Sequence, residues 1–280
     1  MKTWLREAAA VVQVLHLYGA AGIAAFGWGL GSLIGWDAGW TVLLWFCGAL
    51  FIYNADRLRR DPADAINVPE RTAASHRHRA AGVSILIFSA ALLAITPFFS
   101  RSLRLPALVL GGAFLCLNYS WPLLGFRFKD VPLLKSLFAP TVVTAAVLAL
   151  PWLDGHPVHW SVAGWCWCFL QFNMLLCDLR DLDGDRRTGI RSLPVLLGDR
   201  PTRRLLGVLL IATILCENVA RQNFGGDLTA WRILGWIAPL YLTGLLLTTR
   251  SRRSESFYEW WVEGMLFLPS IAAILSQRGN

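Results

Sequence analysis

The sequence predicts an all-α, polytopic membrane protein: a bundle of nine transmembrane helices around a central cavity, in one domain over residues 1–280. Three observations predict it. Charged residues make up 16% of the chain and apolar residues 55%, whereas soluble domains average about 25% charged. Nine mainly apolar stretches of spanning length recur, at 10–34, 38–55, 80–99, 104–124, 134–153, 158–177, 204–220, 231–248 and 259–276. With the N-terminus inside, the alternate connecting segments collect 21 of the 26 Lys and Arg residues. That positive-inside bias predicts a multi-pass protein of the cell or inner membrane, with a cytoplasmic N-terminus and the C-terminus on the opposite side. The net charge of +8 then needs no nucleic-acid partner. The first stretch is too long for a signal-peptide core and eight more follow, so its retention is expected. The six cysteines lie in or at the ends of apolar stretches and read as small apolar residues, with no disulfide framework.

The first span carries Gly19, Ala20, Ala21, Gly22, Ala24 and Ala25, small side chains that let helices approach closely. His16 reads mainly as a packed residue, with a cavity-lining role as the alternative, and Trp28, Trp36 and Trp40 suit the outer interface. The second span ends in Tyr53-Asn54-Ala55-Asp56-Arg57 and runs into an Arg-rich segment reaching Arg79. Its basic excess would attract anionic lipid headgroups. The functional alternative is a diphosphate-binding lid with Asp56 as a metal ligand.

The fourth span ends at Asn118-Tyr119-Ser120, followed by Arg127, Lys129 and Lys135. These read either as a polar turn with interfacial cations or as donors for an anionic leaving group. The sixth span is rich in aromatics (Trp160, Trp165, Trp167, Phe169, Phe172) and carries Gln171 and Asn173. Amides at that depth face the bundle or a cavity. Glu217 and Glu263, in the seventh and ninth spans, read as side chains that snorkel to an interface, with a cavity-facing position as the alternative for Glu263.

The chain is organised around residues 178–194, directly after the sixth span. Asp178, Asp181 and Asp185 are spaced i, i+3, i+7, which places them on one helix face within roughly 60°. In a soluble loop such carboxylates would pair with the neighbouring arginines. Here three of them share one stripe at a membrane face, where they repel unless a cation neutralises them. Mg2+ suits such a site, because it takes one or two carboxylates and completes its shell with water and phosphate oxygens. The pattern of an apolar helix ending in carboxylates before an Arg-rich loop occurs twice, with 122 residues between Asp56 and Asp178. It predicts an internal pseudo-repeat of spans 1–4 and 5–8, with span 9 added.

These residues resemble the UbiA superfamily of intramembrane prenyltransferases, which have nine spans and two Asp-rich cytoplasmic motifs. Asp178, Asp181 and Asp185 match the second motif, D-x-x-D-x-x-x-D. The continuation through Gly184, Gly189, Ser192-Leu193-Pro194 and Gly198 is also similar to the family's, as is Tyr119-Ser120-x-Pro122 with its following basic residues. The first motif departs from the family pattern: with Asp56 as its middle Asp, Tyr53 stands at the first Asp and Arg60 at the last.

The resemblance implies Mg2+-dependent transfer of a prenyl group from a prenyl diphosphate to a lipophilic or aromatic, membrane-associated acceptor. It implies catalytic roles for Asp178, Asp181 and Asp185, which with Asp56 would hold the metal. Asp56, Arg57, Tyr119, Lys129, Lys135, Asn173 and Arg191 would bind substrate. Trp165, Trp167 and Phe172 are candidates to shield an allylic cation. The departure of the first motif supports a second reading, a non-catalytic relative that binds lipid or supports assembly of a membrane complex.

Overall fold

Each predicted apolar stretch holds a helix in the computed structural model, which describes residues 11–59, 61–96, 104–223, 226–249 and 253–278. The helices are α1 Leu17–Leu33, α2 Thr41–Leu58, α3 Pro62–Asn67, α4 Pro69–Arg77, α5 Arg79–Ile95, α6 Arg104–Ser120, α7 Leu134–Leu153, α8 Trp160–Arg180, α9 Leu182–Thr188, α10 Leu193–Leu197, α11 Asp199–Asn223 and α12 Leu228–Thr248. The last segment opens with a helical turn, Glu255–Phe257. It continues as a π turn over Tyr258–Val262 and a 3-10 stretch over Glu263–Phe267, and closes as α13, Leu268–Arg278.

Four helices, α7, α8, α11 and α12, are long and apolar enough to cross a membrane, and a fifth span is added if α4 and α5, bent by 79°, count as one. The sequence predicts nine. Length accounts for part of the difference: α1, α5 and α6 have 17 residues each, about 26 Å of helix against a hydrocarbon core of about 30 Å.

The packing contacts trace a closed circuit. α1 packs on α2, α2 on α6 and α7, α7 on α8, α8 on α11, α11 on α12, α12 on α13, and α13 back on α1. α5 lies against α2. The circuit closes where α1 is thinnest: a Cβ on Gly29 would sit 2.3 Å from the Ser270 backbone nitrogen. Outward-facing side chains are apolar, with Trp236 75% and Leu240 71% exposed, as a lipid-facing surface requires.

Aromatic rings fill the interior of this circuit. Phe26 of α1 stacks on Trp165 and Phe169 of α8, with centroids 5.9 and 5.8 Å apart, and Trp165 meets Trp231 of α12 edge-on at 5.9 Å. Trp165 and Phe172, candidates for a carbocation wall, are therefore packed core residues, and Trp167 donates its indole N–H to Thr141 Oγ1 at 3.1 Å. Trp36, expected at the outer interface, is buried and donates to Asp154 at 3.1 Å. The clefts lie toward the end of the bundle where α2 and α8 deliver their carboxylates.

Candidate active site

Two acidic clusters meet at that end, each seated on a helix terminus. The second begins where α8 stops. Asp178 and Asp185 are fully buried and Asp181 caps α8. All three converge on Lys135 from the first turn of α7. Its Nζ donates to both oxygens of Asp185, at 2.6 and 2.5 Å, and lies 3.8 Å from Asp178 and 4.0 Å from Asp181. Ser136, the next residue, donates its hydroxyl to Asp178 Oδ2 and accepts the Leu193 N–H at 2.8 Å. Gln171 Nε2 donates to the Ser136 carbonyl at 3.1 Å. Arg180 grips Asp181 with two N–H groups, at 2.7 and 3.2 Å. Burial alone would raise the Asp181 carboxyl, but Arg180 and Lys135 outweigh it and hold the group near 2. For Asp185 burial prevails over Lys135, and its carboxyl is raised.

The first cluster sits where α2 stops. Asp56 accepts the Ser120 hydroxyl from the end of α6 and lies 3.9 Å from Lys129 Nζ. Lys129 and Arg127 both reach Asp61, each at 2.7 Å. Burial pushes the Asp61 carboxyl up, but Lys129, the Ala63 N–H and Arg127 hold it near 2. Arg57 pairs with Asp64 at 2.5 Å. A cleft of about 560 Å³, open to solvent, runs along Asn54, Arg57, Asp61 and Asp64 toward His76 and Arg79.

The clusters face one another. Tyr119, stacked on Phe138 at 5.0 Å, is in electrostatic reach of Asp56, Asp178, Asp181 and Asp185. Arg57 senses both Asp56 and Asp181. The loops are also pinned together: Asn67 Oδ1 at the end of α3 accepts the Gly184 N–H of α9 at 2.8 Å. A Cβ on residue 184 would lie 2.3 Å from that oxygen, so this contact requires glycine. The Glu255 carboxylate accepts the N–H groups of Glu70 and Arg71, at 3.1 and 3.0 Å, and so caps α4 from the C-terminal segment.

Of the residues singled out in the sequence, Asp56, Arg57, Tyr119, Lys129, Lys135, Asp178, Asp181 and Asp185 come together here. Asn173 donates instead to the Val262 carbonyl at 2.8 Å, tying α8 to the π turn. The Arg191 side chain is exposed at the rim, and Arg60 lies outside the described residues.

Several participants carried little signal. Ser120 and Ser136 are ordinary until the fold sets each beside an aspartate. Glu263 takes the second of its two readings: it lines a cleft of about 220 Å³ with His16, Tyr18, Arg71 and Glu259. His16 itself is in the left-handed region, at φ 56°, with its Nε2 buried and without a hydrogen-bond partner. Such strain in a non-glycine residue clusters at functional sites.

The donor chemistry of the second cluster fits a hard divalent cation. Three carboxylates lie within 4.0 Å of one atom, and Asp178 Oδ1 is buried without a hydrogen-bond partner. Among the described residues, no group of three His, Cys, Asp or Glu side chains stands in metal-binding geometry. The Lys135 ammonium stands among the three carboxylates.

Fold and site together define an all-helical membrane protein with paired acidic clusters at one end of the bundle. The UbiA prenyltransferase family model matches residues 61–261, and the chain belongs to that family. It is an integral multi-pass membrane protein of the UbiA fold.

Over 176 residues it is 31% identical to a 4-hydroxybenzoate octaprenyltransferase from Aeromonas salmonicida, covering 60% of this chain and 50% of that relative. It is 24% identical over 111 residues to a digeranylgeranylglyceryl phosphate synthase from Natronomonas pharaonis, covering 39% of each. The matches thus span half or less of these relatives' lengths. A UbiA homolog from Archaeoglobus fulgidus bound to DMAPP and Mg2+ superposes with a TM-score of 0.65 at 13% identity, over 96% of this chain and 99% of that one. A UbiA homolog from Aeropyrum pernix gives 0.56 at 18%, over 94% and 96%.

Proposed function

We propose that this protein transfers a prenyl group from a prenyl diphosphate to a lipophilic or aromatic acceptor held in the membrane. The observation that carries the reading is the convergence of two acid-and-base clusters, from α2 and α8, on one end of an otherwise apolar bundle. The relatives named as prenyltransferases, and the A. fulgidus structure with DMAPP and Mg2+, support it.

In this reading the diphosphate lies between the clusters and the tail runs among the helices, where it stays out of water. The chemical demand is to stabilise negative charge on the departing diphosphate while positive charge develops on the allylic carbon. Lys129 and Arg127, shared with Asp61, and Arg57 are the fixed cations at that position. Tyr119 and Ser120 supply hydroxyls on the α6 side, and Arg191 meets the diphosphate at the rim. Asp178, Asp181 and Asp185, with Asp56 from the first cluster, would hold Mg2+, which when bound neutralises leaving-group charge. The first cluster has one carboxylate in register, Asp56; Tyr53, at the place of the family's first Asp, stacks on His16 at 5.2 Å. Arginine-based diphosphate binding compensates there.

The same reading retains nine spans, a cytoplasmic N-terminus, an outside C-terminus and a duplicated plan in which α2 and α8 are equivalent. The test is Mg2+-dependent release of diphosphate from a labelled prenyl diphosphate by membranes containing the protein, with the label passing to a lipid-soluble product. Release that disappears in Asp181→Asn and Asp185→Asn supports transfer. Tight binding of the donor with no release favours the non-catalytic, lipid-binding alternative.

A further inference from the structure

We infer that Lys135 is a tethered counter-ion that holds the carboxylate trio closed until a divalent cation displaces it, and that the freed ammonium then moves onto the diphosphate. The inference rests on the reading of this site as a diphosphate and metal site.

The geometry argues for it in four ways. First, one Nζ is within 4.0 Å of all three carboxylates and within 2.6 Å of both oxygens of Asp185, so the ammonium and an ion chelated by the whole trio exclude each other. Second, the charge balance is incomplete. Among the described residues, Lys135 and Arg180 are the cations within 4.0 Å of the trio, two charges against three carboxylates, whereas a divalent ion with Arg180 supplies three. The resting cluster is therefore stable enough to stay closed, yet prefers a doubly charged guest. Third, the contact to Asp178 is loose: its Oδ1 has no hydrogen-bond partner although it is buried, and Lys135 stands 3.8 Å from it. That oxygen is left for another ligand. Fourth, Lys135 is delivered by a strained start to α7. Leu133 sits at φ 68°, held by its N–H to the Arg191 carbonyl at 3.0 Å, and Ser136 locks the next position onto Asp178 and Leu193. The backbone at the start of α7 is thus fixed, and the ammonium is carried on a long, four-carbon stem with several rotatable bonds.

The exchange involves no covalent step. Two hydrogen bonds from Lys135 to Asp185 break, the carboxylates turn to the incoming cation, and the ammonium re-forms its hydrogen bonds with diphosphate oxygens. Metal and diphosphate binding are then coupled, because the metal takes the carboxylates and the diphosphate takes the ammonium, the two members of the resting ion pair.

The experiment measures Mn2+ binding by the purified full chain in the absence of any diphosphate, by electron paramagnetic resonance. Lys135→Met removes the charge and keeps the length, and should bind Mn2+ at least tenfold more tightly than wild type, about 1.4 kcal/mol. Lys135→Arg should stay within about threefold of wild type. Equal affinity in wild type and Lys135→Met overturns the counter-ion role and leaves the metal reading standing. No Mn2+ binding by any of the three overturns both.

A second measurement needs no variant. The chain has lysines only at 2, 129 and 135, so acetylation at Lys135 is read directly by mass spectrometry. Its rate should rise at least threefold when Mg2+ is added and fall again with inorganic diphosphate. An unchanged rate on adding Mg2+ overturns the displacement.

Discussion

Gly184→Ala tests whether the two acidic clusters are held as one site. Gly184 lies in the first turn of α9, where backbone N–H groups have no partner within the helix. Its N–H is taken by Asn67 Oδ1 at 2.8 Å, and α3 packs along α9. A methyl group at 184 would sit 2.3 Å from Asn67 Oδ1 and 2.5 Å from its Cγ, so the amide must leave. The substitution should forfeit a half-buried hydrogen bond and leave its donor unpaired, a loss of about 1–3 kcal/mol. Alanine's better helix propensity returns up to about 1 kcal/mol of that.

Asn67→Ala should cost about as much, since it deletes the same bond from the other side. The double variant should be no less stable than Asn67→Ala alone, giving a coupling of about 1 kcal/mol or more. The assays are thermal unfolding in detergent and hydrogen exchange across residues 62–77 and 182–188. Exchange in both segments should quicken together. Additive costs, or faster exchange in one segment alone, would refute the claim that this contact joins the loops.

The other expectations follow from named contacts. Ser136→Ala removes a donor to the buried Asp178 and an acceptor for the Leu193 N–H; it should lower stability by about 1–3 kcal/mol, and an unchanged melting temperature would contradict this. Glu255→Ala uncovers the N–H groups of Glu70 and Arg71 and should cost about 1 kcal/mol, seen as faster exchange over 69–77 with only a small change elsewhere. Asp61 and Asp181 are each held near 2 in the fold, below the ordinary carboxylate value near 4. Their contribution is therefore complete above pH 4 and is lost as pH falls toward 2, at about 2 kcal/mol for Asp181. Unfolding measured from pH 5 to pH 2 should show that slope, and Asp181→Asn should flatten it.

The helices were legible because apolar length is a property of local sequence: the stretches at 134–153 and 158–177 reappear as α7 and α8 almost residue for residue. The ninth was less so. It carries π and 3-10 turns over Tyr258–Phe267, and at Gly264 a Cβ would lie 3.0 Å from the Tyr241 hydroxyl and 3.1 Å from that of Tyr18; no periodicity reports either. The aspartates of the second cluster were visible from their i, i+3, i+7 spacing. What joins them was not: Lys135 lies 43 positions before Asp178 in the chain, and its place among three carboxylates is a tertiary fact. Trp165 and Phe172 show the converse error, since an aromatic in a span reads alike whether it lines a cavity or fills a core. Arg71 and Arg180 carried little signal because single charges near a membrane surface are common; in the fold Arg71 is buried 3.8 Å from Glu259 and Arg180 pairs with Asp181.

The central claim is that both clusters grip one diphosphate at a single end of the bundle. It is tested most directly with a prenyl diphosphate analogue carrying a photoreactive group at the diphosphate end, cross-linked in membranes with Mg2+ and mapped by peptide mass spectrometry. Label should appear in peptides from both sides, around residues 54–64 and 118–135 and around 178–192, and inorganic diphosphate should compete it away. Label confined to one cluster, or to the exposed faces of α11 and α12, would contradict the account.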